Sequence, residues 1–237
     1  LPFAIAPNFI VNNRDCMVPL VLEEPSVVAA LSGAARLARK RGGFAVRCDE
    51  SLLVGQVHVS GVKDPAAGLQ ALESRRHQLL DAANDVHPRL AARGGGVREV
   101  DFARLELPDG SPLIRVHLLV DTVDAMGANL VNTICEAIAP QIAALCRGNV
   151  ALRILSNLAD RSVVTASVRF AEEDLAEGEF SGDAVRDAIV LASDFASVYP
   201  YRAATHNKGI MNGIEAVAIA TGNDWRAIEA GAHAYAA

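Results

Sequence analysis

A chain of 237 residues with 51% hydrophobic side chains holds enough apolar material for one large core or two modest ones. Its net charge of −6 offers no basic footprint, which argues against a nucleic-acid partner. Four cysteines, Cys16, Cys48, Cys135 and Cys146, form no CxxC pair, so the expectation is reduced thiols, no zinc knuckle and a cytoplasmic setting.

No apolar run approaches the ~20 residues of a membrane-spanning helix, and no membrane partner is expected. The chain opens on Leu1 rather than Met and stops at Ala237 inside an alanine-rich helical pattern, which reads as a piece of a longer polypeptide. Residues 1–17, with Pro2, Pro7 and an Asn12-Asn13 turn signal, read as short extended pieces. VPLVLEEPS follows, a strand ending in two carboxylates. Pro25 disfavours the α region for Glu24 and suits the first position of a helix, so Glu24 is predicted at a helix N-terminus. That helix spans about 25–41 with Val27, Ala30, Leu31, Ala34 and Ala38 on one face, and stops at Gly42-Gly43.

From residue 52 the pattern changes. Residues 52–60 alternate as a strand, 65–91 read as one long helix, and 97–107 and 112–121 alternate again around an Asp109-Gly110 turn. Residues 126–146 are helical, with Leu130, Ile134, Ile138 and Ile142 at spacing four, and 150–155 reads as a strand. The order β-α-β-β-α-β is that of a ferredoxin-like unit. The predicted fold class is therefore α+β: a large mixed domain built around a central helix (1–50 and 157–237), interrupted by a small ferredoxin-like domain (51–156). The remainder reads as a strand at 162–170, a helix at 182–197, a loop carrying Lys208, an apolar segment 214–220 and a last helix with Asn223 as N-cap.

Residues 201–226, YRAATHNKGIMNGIEAVAIATGNDWR, gather polar and ionisable groups around Gly209, Gly213 and Gly222. The 22 basic residues include only three lysines, so the sequence uses Arg wherever a bare charge suffices. Lys208, between Asn207 and Gly209, then stands out as a compact ammonium able to donate to one developing oxyanion, although a solvated surface charge explains it equally well. Other common engines lack their signals: there is no GxGxxG, P-loop, HExxH or GxSxG, and the six histidines include no helical pair at metal-ligand spacing, so no metal site is expected.

THNKGIMNGI followed by ATGNDWRAIEAGAHAYA, together with VPLVLEEPSVVAA, DAMGANLVNT and LRILSNLAD in the same order, resembles the 3-hydroxy-3-methylglutaryl-CoA reductase family, in its bacterial class II form. The resemblance implies an oxidoreductase that interconverts a CoA thioester and mevalonate by two hydride transfers with NADH or NADPH. It assigns Lys208 as oxyanion donor, Glu24 as a buried proton source and Asp224 as the group that orients the lysine. Arg202 is implied to hold the substrate carboxylate, with Ser26 and Asn212 beside it.

By the same resemblance Asp124, Met126, Gly127, Ala128 and Asn129 form the dinucleotide-binding turn, and Asn157 lies near the nicotinamide. His87 stands where NADH-using members carry an acid that bonds the ribose, and because His tolerates a 2′-phosphate better, both cofactors remain open. Members build their sites across a subunit interface, which implies a homodimer or higher oligomer. The resemblance also places an upstream substrate-contacting block and a C-terminal flap histidine outside these residues, so this polypeptide alone is expected to turn over feebly. Two rivals stay open: a non-catalytic CoA-ester or dinucleotide-binding module, and a lyase using Lys208 as a Schiff base.

Overall fold

The computed structural model describes residues 1–237. It divides into two compact units, one made of Leu1–Arg47 with Val164–Ala237 and the other of Cys48–Val163.

The chain begins with the antiparallel strands β1 (Phe3–Val11) and β2 (Arg14–Val21), joined where Asn12 and Asn13 take φ of 50° and 63°. Two consecutive left-handed residues make the tight turn that matches strand twist, and Asn tolerates that conformation. Helix α1 (Pro25–Arg39) follows, with Pro25 in its first turn and Glu24 extended at φ −113° as N-cap. Its buried stripe runs through Val28, Leu31, Ala35 and Ala38. The predicted face is thus turned by about one residue: the hairpin takes the bulkier stripe and leaves Ala30 and Ala34 exposed. Strand β3 (Ala45–Cys48) leads out of this unit.

The inserted unit runs β4 (Leu53–Ser60), α2 (Pro65–Ser74), α3 (Arg76–Asp85), α4 (Pro88–Ala91), β5 (Gly96–Glu106), β6 (Pro112–Asp121), α5 (Ala128–Cys146) and β7 (Asn149–Leu155). Its sheet has the order β5-β6-β4-β7 with every pairing antiparallel, the ferredoxin-like arrangement. Val57, Val59, Ile114, Val116 and Leu118 from one sheet face meet Leu72, Leu79, Ile134, Ile138 and Ile142 from the helices. Each such buried side chain contributes roughly 1.5–3 kcal/mol, and this is the larger of the two cores. The single long helix predicted over 65–91 is three helices, because Arg75 departs from helical geometry and Pro88 excludes the α region at His87 (φ −131°). Residues 156–163 also belong to this unit, tied back by Ser156 N to Val54 O and Leu52 N to Arg161 O.

The chain then forms β8 (Val164–Ser167), which pairs with β3, followed by α6 (Glu172–Leu175), α7 (Gly182–Val198), α8 (Pro200–Ala220) and α9 (Trp225–Ala236). Lys208 does not lie in a loop, because α8 continues through it. Two helical glycines cost roughly 1 kcal/mol each, which Met211, Ala216 and Ala218 offset by burial. The small core of this unit joins Ala6 and Leu20 of the hairpin to Ala216 of α8, with Val28 and Leu31 of α1 packed against it. No helix is long and apolar enough to cross a membrane.

Candidate active site

The first group of candidate residues lies in the unit formed by residues 1–47 and 164–237. Glu24 makes no capping bond to α1; its carboxylate instead accepts a 2.7 Å hydrogen bond from Ser26 Oγ. The expected burial of Glu24 is absent within the chain, where the residue is exposed. Beside it a cavity of about 320 Å³, lined by Pro2, Ala4, Leu22, Pro25, Val28, Ala29 and Ser32, can take an apolar group; its one hydroxyl, Ser32 Oγ, donates to Val28 O, and no charged side chain lines it to bind a carboxylate.

Helix α8 carries three more. Lys208 and Asn212 are one turn apart on one face, whereas Arg202, six residues before Lys208, lies about 120° around the axis. Lys208 is exposed and makes no hydrogen bond or ion pair within the chain. Arg202 is half-buried and likewise unpaired.

The end of α8 explains the position of Asp224. Gly222 (φ 72°) closes the helix with Asn223 N donating to Ala218 O at 2.8 Å and Gly222 N to Ile219 O at 3.2 Å, a Schellman stop. Asn223 is consumed by that stop, its side chain bonding Thr221 Oγ1 at 2.7 Å. The N-cap of α9 is therefore Asp224, whose Oδ1 accepts from Ala227 N at 3.2 Å, and not Asn223. Within one chain the structure joins Glu24 to Ser26 but brings neither Glu24 nor Asp224 to ion-pair distance from Lys208.

An aromatic cluster that the sequence reading missed flanks Arg202. The Tyr199 ring stands 5.9 Å from Phe195 and 5.5 Å from Tyr201, and all three residues are exposed. The i, i+4 spacing of Phe195 and Tyr199 was the available signal.

The second group lies in the inserted unit, where strand register gathers it at one end of the sheet. Gly96 pairs with Asp121, Leu53 with Val120 and Gly55 with Leu155, so His87, the turn after β6 and Asn157 all leave the sheet at that end. The turn is tightly determined. Asp121 Oδ1 accepts from Val123 N at 2.9 Å, and Thr122 Oγ1 donates to Ala125 O at 2.9 Å. Gly127 has φ 88°, and a Cβ there would stand 2.6 Å from Thr122 Cγ2.

Gly127 opens α5 without any side-chain cap, so the first amides, at Ala128 and Asn129, stay free for an anionic ligand. Asp124, Met126 and Asn129 are exposed around them, and Asn157 is exposed after β7. Hydrogen bonds from Arg98 and from the Val123 amide hold the Asp121 carboxyl below its ordinary range. Gly95 fits closely between Leu90 and Val123, which sets the segment that begins at His87 beside the turn. Nε2 of His87 is enclosed without a hydrogen-bond partner, a group that normally finds one. A ligand reaches that nitrogen only if the ring turns.

The sheet face away from the helices carries a separate polar cluster. Asp101 pairs with Arg115 at 2.8 Å, and burial together with Arg115 lowers His58 and brings His117 down to about 4. Burial also pushes the Cys135 and Cys146 thiols up to about 11. No cluster of His, Cys, Asp or Glu is arranged to hold a metal ion.

In class this is an α+β protein in which a ferredoxin-like unit interrupts a mainly helical one. The sequence profile of hydroxymethylglutaryl-coenzyme A reductase matches residues 1–237. The chain belongs to that family. It is 46% identical over 237 residues to the 3-hydroxy-3-methylglutaryl-coenzyme A reductase of Archaeoglobus fulgidus, covering 100% of this chain and 53% of that one. The structure of the Streptococcus pneumoniae enzyme superposes with a TM-score of 0.96 at 44% identity, over all of this chain and 56% of that one. The class II enzyme of the same organism, bound to NADPH in open conformations, matches equally well over 63% of its length. The chain thus spans about half the length of the curated relatives it matches.

Proposed function

We propose that these residues form the catalytic and cofactor-binding part of a reductase that interconverts 3-hydroxy-3-methylglutaryl-CoA and mevalonate plus CoA with NADH or NADPH. The observation that carries this reading is that the match to an NADPH-bound class II reductase runs the whole length of the chain, through both the Lys208 helix and the Gly127 turn. The dinucleotide fits what stands at the end of the sheet: uncapped amides opening α5, a glycine whose Cβ would collide, and an unsatisfied His87 nitrogen. Ala128 and Asn129 would hold the pyrophosphate, Asp124 and Met126 would border it, Asn157 would face the nicotinamide end, and His87 would face the ribose. When bound, the nicotinamide supplies the hydride.

The chain's own residues then handle charge and protons. Lys208 meets the carbonyl oxygen that becomes negative, and an ammonium with no other partner is free to do so. Glu24, in line with Ser26, delivers the proton, and Asp224, held by its capping bond, orients the lysine. Arg202 receives the substrate carboxylate and Asn212 lies on the face that Lys208 presents.

Because neither acid reaches the lysine within one chain, we place the complete site between two copies. The chain exposes 14595 Å², whereas even two separate compact bodies of half its mass would expose about 12,000 Å², so surface is left to be covered, by a second copy or by the rest of a longer polypeptide. Four free cysteines agree with a cytoplasmic setting.

The test uses the intact natural protein that carries these residues. Lys208→Ala and Glu24→Gln are each expected to abolish NAD(P)H oxidation while thioester binding persists. Mixing the two variants under subunit exchange should restore up to about a quarter of the activity if the groups come from different chains. Undiminished activity in Lys208→Ala would overturn the enzymatic role, and failure of complementation would overturn the shared site. Asp224→Asn separates the two duties of that residue: the cap survives, so stability should hold, while turnover should fall at least tenfold.

A further inference from the structure

Val123 sits at φ 55°, a conformation in which a β-branched residue is an outlier, and something must hold it there. The Asp121 carboxylate supplies the restraint. One oxygen of Asp121 accepts the Val123 amide at 2.9 Å, and the other accepts from Arg98 Nη2 at 2.8 Å. The same guanidinium nitrogen donates to the carbonyl of Gly94, so Arg98 ties the loop before β5 to the turn after β6.

Arg98 reaches both because of where it falls in the ladder. Val97 pairs with Val120 and Glu99 with Leu119, leaving Arg98 as the extra residue of a β-bulge. Bulges re-aim a side chain out of the regular alternation and recur beside functional sites.

We propose that Arg98 is a positioning residue which, through Asp121, holds Val123 in its left-handed conformation and so keeps the 121–129 turn shaped for the dinucleotide. The proposal rests on the reading of that turn as the cofactor site. Arg98 acts on the chain and not on the ligand, which distinguishes it from a direct phosphate contact. The predicted signature is therefore a defect in cofactor affinity that a backbone change can cure without restoring the charge.

The experiment measures NADH and NADPH dissociation constants, KM values and kcat in the intact protein for four variants. Arg98→Gln should raise Kd and KM for both cofactors about tenfold, with kcat and the thioester KM within twofold of the parent. Adding Val123→Gly should return cofactor affinity to within about threefold, since glycine adopts positive φ unaided. Arg98→Lys, which keeps the charge but carries it on a shorter, more flexible side chain, should lie between.

Met126→Asp is the control on the underlying reading. Met126 is 68% exposed, so the fold tolerates the change, and a carboxylate there should repel the pyrophosphate and weaken binding at least tenfold. If Met126→Asp binds normally, the turn is not the cofactor site and the proposal falls with that reading. If Met126→Asp weakens binding but Arg98→Gln does not, or if Val123→Gly fails to rescue, the positioning role alone is overturned.

Discussion

Replacing Gly127 by Ala tests how rigidly the turn after β6 is built. The backbone there has φ 88°, and a methyl group would stand 2.6 Å from Thr122 Cγ2 and 2.7 Å from Leu53 Cδ1. Holding an L-residue in the left-handed region costs roughly 1–2 kcal/mol. Thr122 cannot yield cheaply, because it is only 7% exposed and its hydroxyl is committed to Ala125 O. Overpacking of such a site adds roughly 1–3 kcal/mol, for a total of about 2–5 kcal/mol. Gly110→Ala supplies the comparison, since φ there is 81° but the added methyl would meet nothing within 4 Å, so only the backbone cost of about 1–2 kcal/mol applies. For a unit of this size each kcal/mol moves Tm by roughly 4 °C, so calorimetry should find the Gly127 variant lowered by roughly 8–20 °C and the Gly110 variant by roughly 4–8 °C. Equal losses in the two variants would refute the packing argument and leave only the backbone conformation.

Burial and Arg115 depress His117 to about 4 and lower His58, while Asp101 and Asp160 oppose the effect on His117 and the unfolded chain titrates near 6.5. The stability these neutral rings provide is complete above pH 6.5 and is lost as pH falls toward 4. After allowance for solvent at a half-exposed ring, His117→Gln should remove about 1 kcal/mol of the difference between urea melts at pH 7 and pH 5, and an unchanged slope would contradict this. A thiol reagent should modify exposed Cys48 in the native protein and reach buried Cys135 and Cys146, both raised to about 11, only on unfolding. Gly209→Ala should raise stability by about 0.5–1 kcal/mol, as expected for an open helical site, yet lower turnover at least tenfold; full activity would show that the glycine serves no approach to the site.

Much of the inserted unit was legible because two periods alternate cleanly there. The odd residues of 53–59 and the even ones of 114–120 reach the core or its edge as a two-residue repeat requires, and Ile134, Ile138 and Ile142 share one helical stripe. What escaped was decided by tertiary contact. A polar stretch with Gly209 and Gly213 carries the local signature of a loop, and only the burial of Met211, Ala216 and Ala218 makes it helix. Of the two stripes available on α1, the one carrying Val28 and Leu31 packs on the hairpin, a choice made by the partner and not by the helix. Asn223 is as good an N-cap as Asp224 by type, and the Schellman stop at Gly222 decides between them. Alternation also says nothing about which residue of β5 is the bulged one, so Arg98 carried no visible mark. The candidate residues themselves were legible through the motifs, and the resemblance already implied that they would be divided between subunits.

That separation has a physical logic on the proposed reading. Helix α7, which packs on α8, keeps only Gly182 buried and leaves Ile189, Val190, Leu191 and Phe195 exposed, a pattern that belongs to a helix awaiting cover. On α8 the position of Gly209, next to Lys208, faces open space, so no packing within the chain accounts for a residue costing roughly 1 kcal/mol in a helix. Both features are explained if another surface closes over this one. An ammonium in water interacts only weakly with a carboxylate at 4 Å, and the same pair gains severalfold as the surrounding dielectric falls. Covering the apolar residues and sharpening the field at Lys208 would then be one event. Assembly would supply the low dielectric that stabilising an oxyanion requires, and a lone chain would retain the lysine without the environment that makes it useful.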